Sequence, residues 1–196
     1  MLLLFLGEII MLKETVFNAL ESNPIIAAVK DERFKEALES PGEVIFLLGG
    51  NLLTLARRIN AAHEKGKFIF IHLDLTEGVG KDRAGVEFLA RSGADGIIST
   101  KTGLIRIANE MGLTTVQRFF VYDSHGVGSI NETLASSRPD IIEIMPGTVG
   151  KVIKSFSGRG TPLIAGGLIE TKQEATEALS LGALAVSTGK NELWYM

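Results

Sequence analysis

Eight short apolar runs recur along the chain, separated by helix-like stretches and joints marked by glycine. They are Ile25–Lys30, Glu43–Leu48, Phe68–Leu75, Gly96–Thr100, Thr114–Val121, Ile141–Met145, Pro162–Ala165 and Ala185–Thr188. Apolar, β-branched runs of this length suit parallel strands buried on both faces. They recur about every 23 residues, which leaves room for one helix in each crossing between parallel strands. The intervening stretches carry apolar residues at spacings of three and four. Leu52, Leu55, Ala56, Ile59 and Ala62 form one such stripe, and Leu104, Ile107, Ala108 and Met111 form another. Gly66, Gly93, Gly112, Gly160 and Gly182 each follow a helical stretch, where a C-cap needs a positive φ.

Strands alternating with helices imply a parallel α/β sheet. An open doubly wound sheet usually uses about five or six strands. Eight β–α units close more naturally into a (β/α)8 TIM-type barrel, here a short version in one domain over residues 1–196.

Composition removes several alternatives. The chain has no cysteine, so a disulfide framework, a thiolate metal site and a thiol nucleophile are all excluded. A net charge of −3 is not the basic footprint of a dedicated nucleic-acid binder. The apolar run Leu2–Leu6 is far short of the ~20 residues that span a bilayer. It also lacks a basic flank and a small-residue cleavage site. The expectation is a cytoplasmic protein with no membrane partner. Met1–Met11 are expected to be an upstream extension or a segment docked on the surface, with Met11 as a second start.

In barrels of this kind the site lies at the C-terminal ends of the strands. Lys30 ends the first run. Phe68, Phe70, His72 and Asp74 share one face of the third, and the aliphatic residues take the other, which places His72 and Asp74 inside the barrel. The fourth run ends in Ser99-Thr100-Lys101. The fifth carries Gln117 and Arg118, whose side chains point opposite ways, and the sixth carries Glu143 among isoleucines. Lys30, Asp74, Ser99, Lys101, Gln117, Arg118 and Glu143 are therefore candidate polar contacts for a ligand. Buried polar groups are expensive unless paired, so satisfying one another is a second, purely structural use for them.

The last two runs are more specific. One leads into Gly166-Gly167, the other into Ser187-Thr188-Gly189-Lys190. At these two strands many barrels hold a phosphate with backbone N–H groups and a short helix N-terminus. Gly166, Gly167, Ser187, Thr188 and Gly189 are the expected phosphate site, the hydroxyls adding donors. As chemistry, Asp74 with Glu143 suits an acid–base pair, and Lys30 or Lys101 suits a Schiff base. There is no nucleophile elbow and no metal-ligand spacing, so no residue is assigned as catalytic or metal-ligating. Binding of a small phosphate is better supported than any one reaction. A phosphate-binding barrel enzyme of the phospho-sugar isomerase or aldolase type is the alternative.

From Ile25 to Trp194 the segments IIAAVK, FIFIHLDLTEGVGKDRAGVEFL, ADGIISTK, TTVQRFFVYDS, RPDIIEIMPGTV, TPLIAGGLIET and GALAVSTGKNELW follow in order. Together they resemble the glycerol uptake operon antiterminator family. The resemblance implies a (β/α)8 regulator, not an enzyme. It would sense glycerol 3-phosphate as an effector, without another cofactor, and act on the leader mRNA of glycerol-utilisation genes. On that reading AGGLI and STG hold the phosphate, and by position Lys30, Asp74, Gln117 and Glu143 receive the glycerol hydroxyls. Met1–Met11 and the glycine-rich stretch Gly126–Ser129 depart from the family pattern. RNA binding rests on the resemblance alone. Two basic clusters, Arg57, Arg58, His63, Lys65 and Lys67, and Lys151, Lys154 and Arg159, read first as solvated helix faces. Phe119, Phe120 and Tyr122 are candidates for base stacking, barrel core or a contact in a homo-oligomer.

Overall fold

Each apolar run becomes a strand, and each strand pairs in parallel with its sequence neighbour. In the computed structural model, which describes residues 2–196, the strands are β1 (Ile25–Val29), β2 (Val44–Leu47), β3 (Phe68–His72), β4 (Gly96–Ser99), β5 (Thr114–Phe120), β6 (Ile141–Met145), β7 (Leu163–Gly166) and β8 (Ala185–Thr188). The register Ile26↔Ser187 joins β1 to β8 and closes the barrel.

Alternate strand residues build two apolar layers. Ile45, Leu47, Ile69, Ile71, Ile97, Ile142 and Ile144 face outward and pack with helix residues such as Leu55, Ile59, Leu89 and Leu104. Ile26, Val44, Phe46, Phe70, Ile98, Val116, Ile141, Ile164 and Ala185 fill the interior. Gly96 makes room there, since a Cβ at that position would strike the Phe70 ring and the Thr114 carbonyl.

The helices between the strands are α2 (Phe34–Glu39), α3 (Leu52–Glu64), α4 (Arg83–Arg91), α5 (Thr102–Glu110), α6 (Ser124–Ser137), α7 (Gly150–Phe156) and α8 (Lys172–Ser180), and α1 (Leu2–Ser22) precedes β1. After β8 the position of a last helix is taken by a 3-10 segment, Asn191–Tyr195, which buries Leu193 and Trp194. Of the stripes seen in the sequence, Leu55, Ile59 and Ala62 are buried on α3 and Leu104 and Ala108 on α5, whereas Leu52 and Ala56 are exposed at the edge of the α3 face and Ile107 and Met111 are part-buried. Gly93 and Gly182 follow α4 and α8 at φ of 85° and 100°, a conformation that costs glycine little.

Residues 2–11 are helical and continuous with the rest of α1, so Met11 lies within a helix. Met1 lies outside the described residues. Val16, Ala19 and Leu20 join the interior cluster and close the N-terminal end of the barrel. Lys13 pairs with Asp140 at 2.8 Å, while Ile10 and Met11 are exposed. Among the described residues no helix is long and apolar enough to cross a membrane.

The third run departs from expectation. Strand β3 ends at His72, and Leu73–Leu75 form a 3-10 turn. Asp74 there accepts hydrogen bonds from the end of β4, which bends the chain away from the strand path.

Candidate functional site

The barrel interior turns polar toward the C-terminal ends of its strands. Arg118 on β5 and Glu143 on β6 are register partners that both point inward. Arg118 Nε donates to Glu143 Oε2 at 2.6 Å, and the two side chains are 5% and 0% exposed. The other carboxylate oxygen, Oε1, accepts the Ser187 hydroxyl at 2.5 Å from β8. Gly166 on β7 lies beside this group. A Cβ there would sit 2.6 Å from Ser187 Oγ and overlap Glu143 Oε1, so the interior itself demands glycine at that position.

His72 is buried nearby. Burial, and then the Arg118 charge, push its pKa from 6.5 down to about 4, so the ring is neutral near pH 7. Its Nδ1 and the Arg118 Nη2 have no hydrogen-bond partner.

Asp74 belongs to a different group. Its Oδ1 accepts from Ser99 Oγ at 2.7 Å, and its Oδ2 accepts from the Thr100 N–H and hydroxyl at 2.8 Å each. Burial alone would raise its pKa, but these three donors outweigh it and hold the carboxyl below its usual value. The Lys101 N–H donates to Ser99 Oγ at 3.0 Å. Gln117 faces the helix layer, where its Nε2 donates to Thr102 Oγ1 at 3.3 Å.

Above the ends of β1, β7 and β8 opens a pocket of 680 Å³. Lys30, Gly167, Ser187, Thr188 and Gly189 line it, with Arg33, Glu170 and Lys190. Ser187 forms its floor, and through Ser187 the pocket meets the buried Glu143–Arg118 pair. The Thr188 hydroxyl donates to the Ile169 carbonyl at 2.8 Å and accepts the Lys190 N–H at 3.1 Å, which ties the two loops together. Gly167 has a φ of 73°, in the left-handed region. Arg33 Nη1 reaches from the β1 side to the Gly189 carbonyl at 2.5 Å, its Nη2 pairs with Glu36 at 2.7 Å, and the guanidinium lies over the Trp194 ring. Lys190 pairs with Glu170 at 3.4 Å, whereas Lys30 makes no ion pair among the described residues.

Of the residues marked in the sequence, this pocket gathers Lys30, Gly167, Ser187, Thr188 and Gly189. Gly166, Arg118 and Glu143 lie beneath it. Asp74, Ser99 and Lys101 form their own cluster at the ends of β3 and β4, and Gln117 faces out of the barrel. Arg33, Glu170 and Lys190 were missed. Arg33 was legible in principle, since Asp31-Glu32-Arg33 follows Lys30 at the same end of the barrel, and Lys190 directly follows the STG turn.

The first basic cluster is largely neutralised. Arg58 bonds Asp31 at 2.8 Å, His63 bonds Asp95 at 2.9 Å, and Lys65 pairs with Glu39 at 3.0 Å. Lys67 is buried at the opposite end of the barrel, donating to the Ser40 and Gly42 carbonyls, and burial holds its amine below the usual lysine range. Lys151, Lys154 and Arg159 stay exposed on and after α7. Phe119 packs against the helix-side core, but Phe120 and Tyr122 are 49% and 89% exposed and stack on one another with centroids 6.4 Å apart. Tyr122 and Lys151 border a common groove between β5 and α7.

Fold and site together define a short (β/α)8 barrel with a pocket at the carboxyl ends of β1, β7 and β8, rimmed by Lys30, Arg33 and Lys190. Residues 25–194 match the family described as glycerol-3-phosphate responsive antiterminator, and the chain belongs to that family. It is 37% identical over 182 residues to the uncharacterised protein YgcP of Escherichia coli strain K12, covering 91% of this chain and 95% of that protein. A solved glycerol uptake operon antiterminator regulatory protein from Listeria monocytogenes is similar at 30% identity and a TM-score of 0.82, over 87% of this chain and 94% of that one. An antiterminator-related protein from Thermotoga maritima is similar at 34% identity and a TM-score of 0.80, over 89% and 99%. Aldolase structures at 12–14% identity share the fold alone.

Proposed function

We propose that this protein is a glycerol 3-phosphate-responsive regulator that acts on the leader mRNA of glycerol-utilisation genes, with its effector in the pocket above β1, β7 and β8. Membership of a family described as glycerol-3-phosphate responsive antiterminator supports this effector and this class of action. The observation that carries the location is the meeting of Lys30, Arg33 and Lys190 with the glycine turns of β7 and β8 around one 680 Å³ pocket. Cations and close-approaching backbone are what a phosphomonoester dianion needs. Glycerol 3-phosphate acts as effector, and no other cofactor is required.

The same geometry favours binding over chemistry. Both oxygens of Glu143 are engaged by Arg118 and Ser187, and both oxygens of Asp74 by Ser99 and Thr100. The proposed acid–base pair is therefore tied up in two separate hydrogen-bonded clusters. For RNA, the exposed Phe120–Tyr122 pair beside Lys151 offers stacking faces next to a positive charge. This surface adjoins the pocket, because the Val121 N–H bonds the carbonyl of Met145, whose residue lines the pocket.

Calorimetry with glycerol 3-phosphate tests the pocket. Lys30→Ala and Arg33→Ala are expected to weaken binding, and unchanged affinity in both would remove the effector from this site. Binding of a leader RNA hairpin, with and without glycerol 3-phosphate over a salt series, tests the action. Absence of RNA binding in both conditions would remove that half of the proposal.

A further inference from the structure

The hydrogen bonds at the pocket floor fix which way its hydroxyl groups point, and that limits what each can recognise. A carboxylate accepts hydrogen bonds and donates none. Glu143 is fully buried, and its Oε2 takes the Arg118 Nε–H at 2.6 Å, so its carboxylate is the accepting half of an ion pair. In the 2.5 Å contact between Ser187 Oγ and Glu143 Oε1, the hydrogen therefore belongs to Ser187. What remains to Ser187 is lone-pair density, backed by a negative charge. Thr188 spends its hydrogen in the same way, on the Ile169 carbonyl at 2.8 Å. Neither hydroxyl expected from the sequence to donate to a phosphate has a hydrogen left for it.

We infer that Ser187 is an acceptor that reads a hydroxyl group of the effector, and that the phosphate lies at the opposite, outer end of the pocket among Lys30, Arg33, Lys190 and the Gly189 turn. This inference rests on the pocket being the effector site. Glu143 is then a positioning residue, setting the donor–acceptor sense of Ser187 from beneath, and Arg118 holds the Glu143 carboxylate in place. Gly166 serves the same device, since any side chain there would displace the carboxylate from the serine. The pocket thus selects phosphomonoesters that carry a hydroxyl-bearing carbon chain. It discriminates against inorganic phosphate and against alkyl phosphates, which leave the Ser187 lone pairs unmet.

The test compares glycerol 3-phosphate with n-propyl phosphate, which keeps the phosphate and three-carbon chain but lacks both hydroxyls. The wild-type protein should bind glycerol 3-phosphate at least about tenfold more tightly, the scale of one unmet buried polar group. Ser187→Ala should bring that ratio to within about threefold while leaving the affinity for n-propyl phosphate within about threefold of wild type. Thermal unfolding in the absence of ligand checks that the variant is folded. Equal wild-type affinity for the two probes overturns the inference, and this arm needs no variant. A Ser187→Ala protein that loses both probes equally also overturns it, because Ser187 would then be a phosphate donor. Failure of the pocket assignment reads differently: Lys30→Ala and Arg33→Ala would leave both probes unaffected.

Discussion

Arg118 and Glu143 face each other across β5 and β6 with Nε and Oε2 2.6 Å apart, deep in a barrel otherwise packed with Phe46, Phe70, Ile98 and Val116. An ion pair in such surroundings adds little over an apolar pair of equal volume, yet removing one member strands the other. Glu143→Ala is expected to cost about 3–5 kcal/mol, and Arg118→Met a similar amount, in urea unfolding. The double variant Arg118→Met/Glu143→Leu should recover much of that loss. A single variant costing less than about 1 kcal/mol would mean that water reaches the stranded charge.

His72 makes stability depend on pH. Its folded pKa is lowered from 6.5 to about 4, first by burial and then by the Arg118 charge, with Lys81 adding to the lowering and Asp74 opposing it. Between those values the unfolded chain binds a proton that the folded barrel does not. Stability therefore falls as pH falls from about 6.5 to about 4, by up to about 3 kcal/mol. Urea unfolding at pH 7 and pH 4.5 should show the loss in the wild type and a smaller one in His72→Asn. An identical loss in both proteins would place the proton elsewhere.

The barrel was legible because buried parallel strands are continuous apolar runs, and all eight appear within a few residues of their observed ends. What escaped the sequence depended on partners far along the chain. Asp74 looked like an interior strand residue until Ser99, at the end of the next strand, and Thr100, just after it, captured it. Arg58, His63 and Lys65 looked like a basic face because Asp31, Asp95 and Glu39 are not their neighbours in sequence. Gln117 and Arg118 were both marked, although alternation allows only one of them to face inward. The plug formed by Val16, Ala19 and Leu20 shows only once a barrel end exists to be closed.

Gly166 and Gly189 looked equivalent in the sequence as phosphate-loop glycines, and the structure separates them. A Cβ at Gly166 overlaps the Glu143 carboxylate and the Ser187 hydroxyl, whereas at Gly189 the nearest atom is the Ala28 carbonyl oxygen at 3.4 Å. Gly166→Ala should destabilise the fold by about 1–3 kcal/mol through overpacking. Gly189→Ala should be tolerated by the fold. Thermal unfolding of the two proteins checks the order, and equal melting temperatures would refute the packing argument.

Tyr122 tests the proposed RNA surface with little risk to the fold. At 89% exposure its ring contributes little to the core, so Tyr122→Ala should unfold at nearly the wild-type temperature. Stacking of a base on an aromatic ring is worth about 1–3 kcal/mol, so the same change should weaken binding of a single-stranded leader segment roughly tenfold or more. Lys151→Ala should act through charge instead, lowering the slope of log affinity against log salt by about one counterion. Glycerol 3-phosphate affinity should stay unchanged in both variants, since neither residue lines the proposed effector pocket above β1, β7 and β8. Fluorescence anisotropy of a labelled leader segment reads the first two effects, and calorimetry reads the third. If Tyr122→Ala leaves RNA affinity intact and instead changes the oligomeric state in sedimentation, the stacked pair is a contact between copies of this chain, and the RNA surface lies elsewhere.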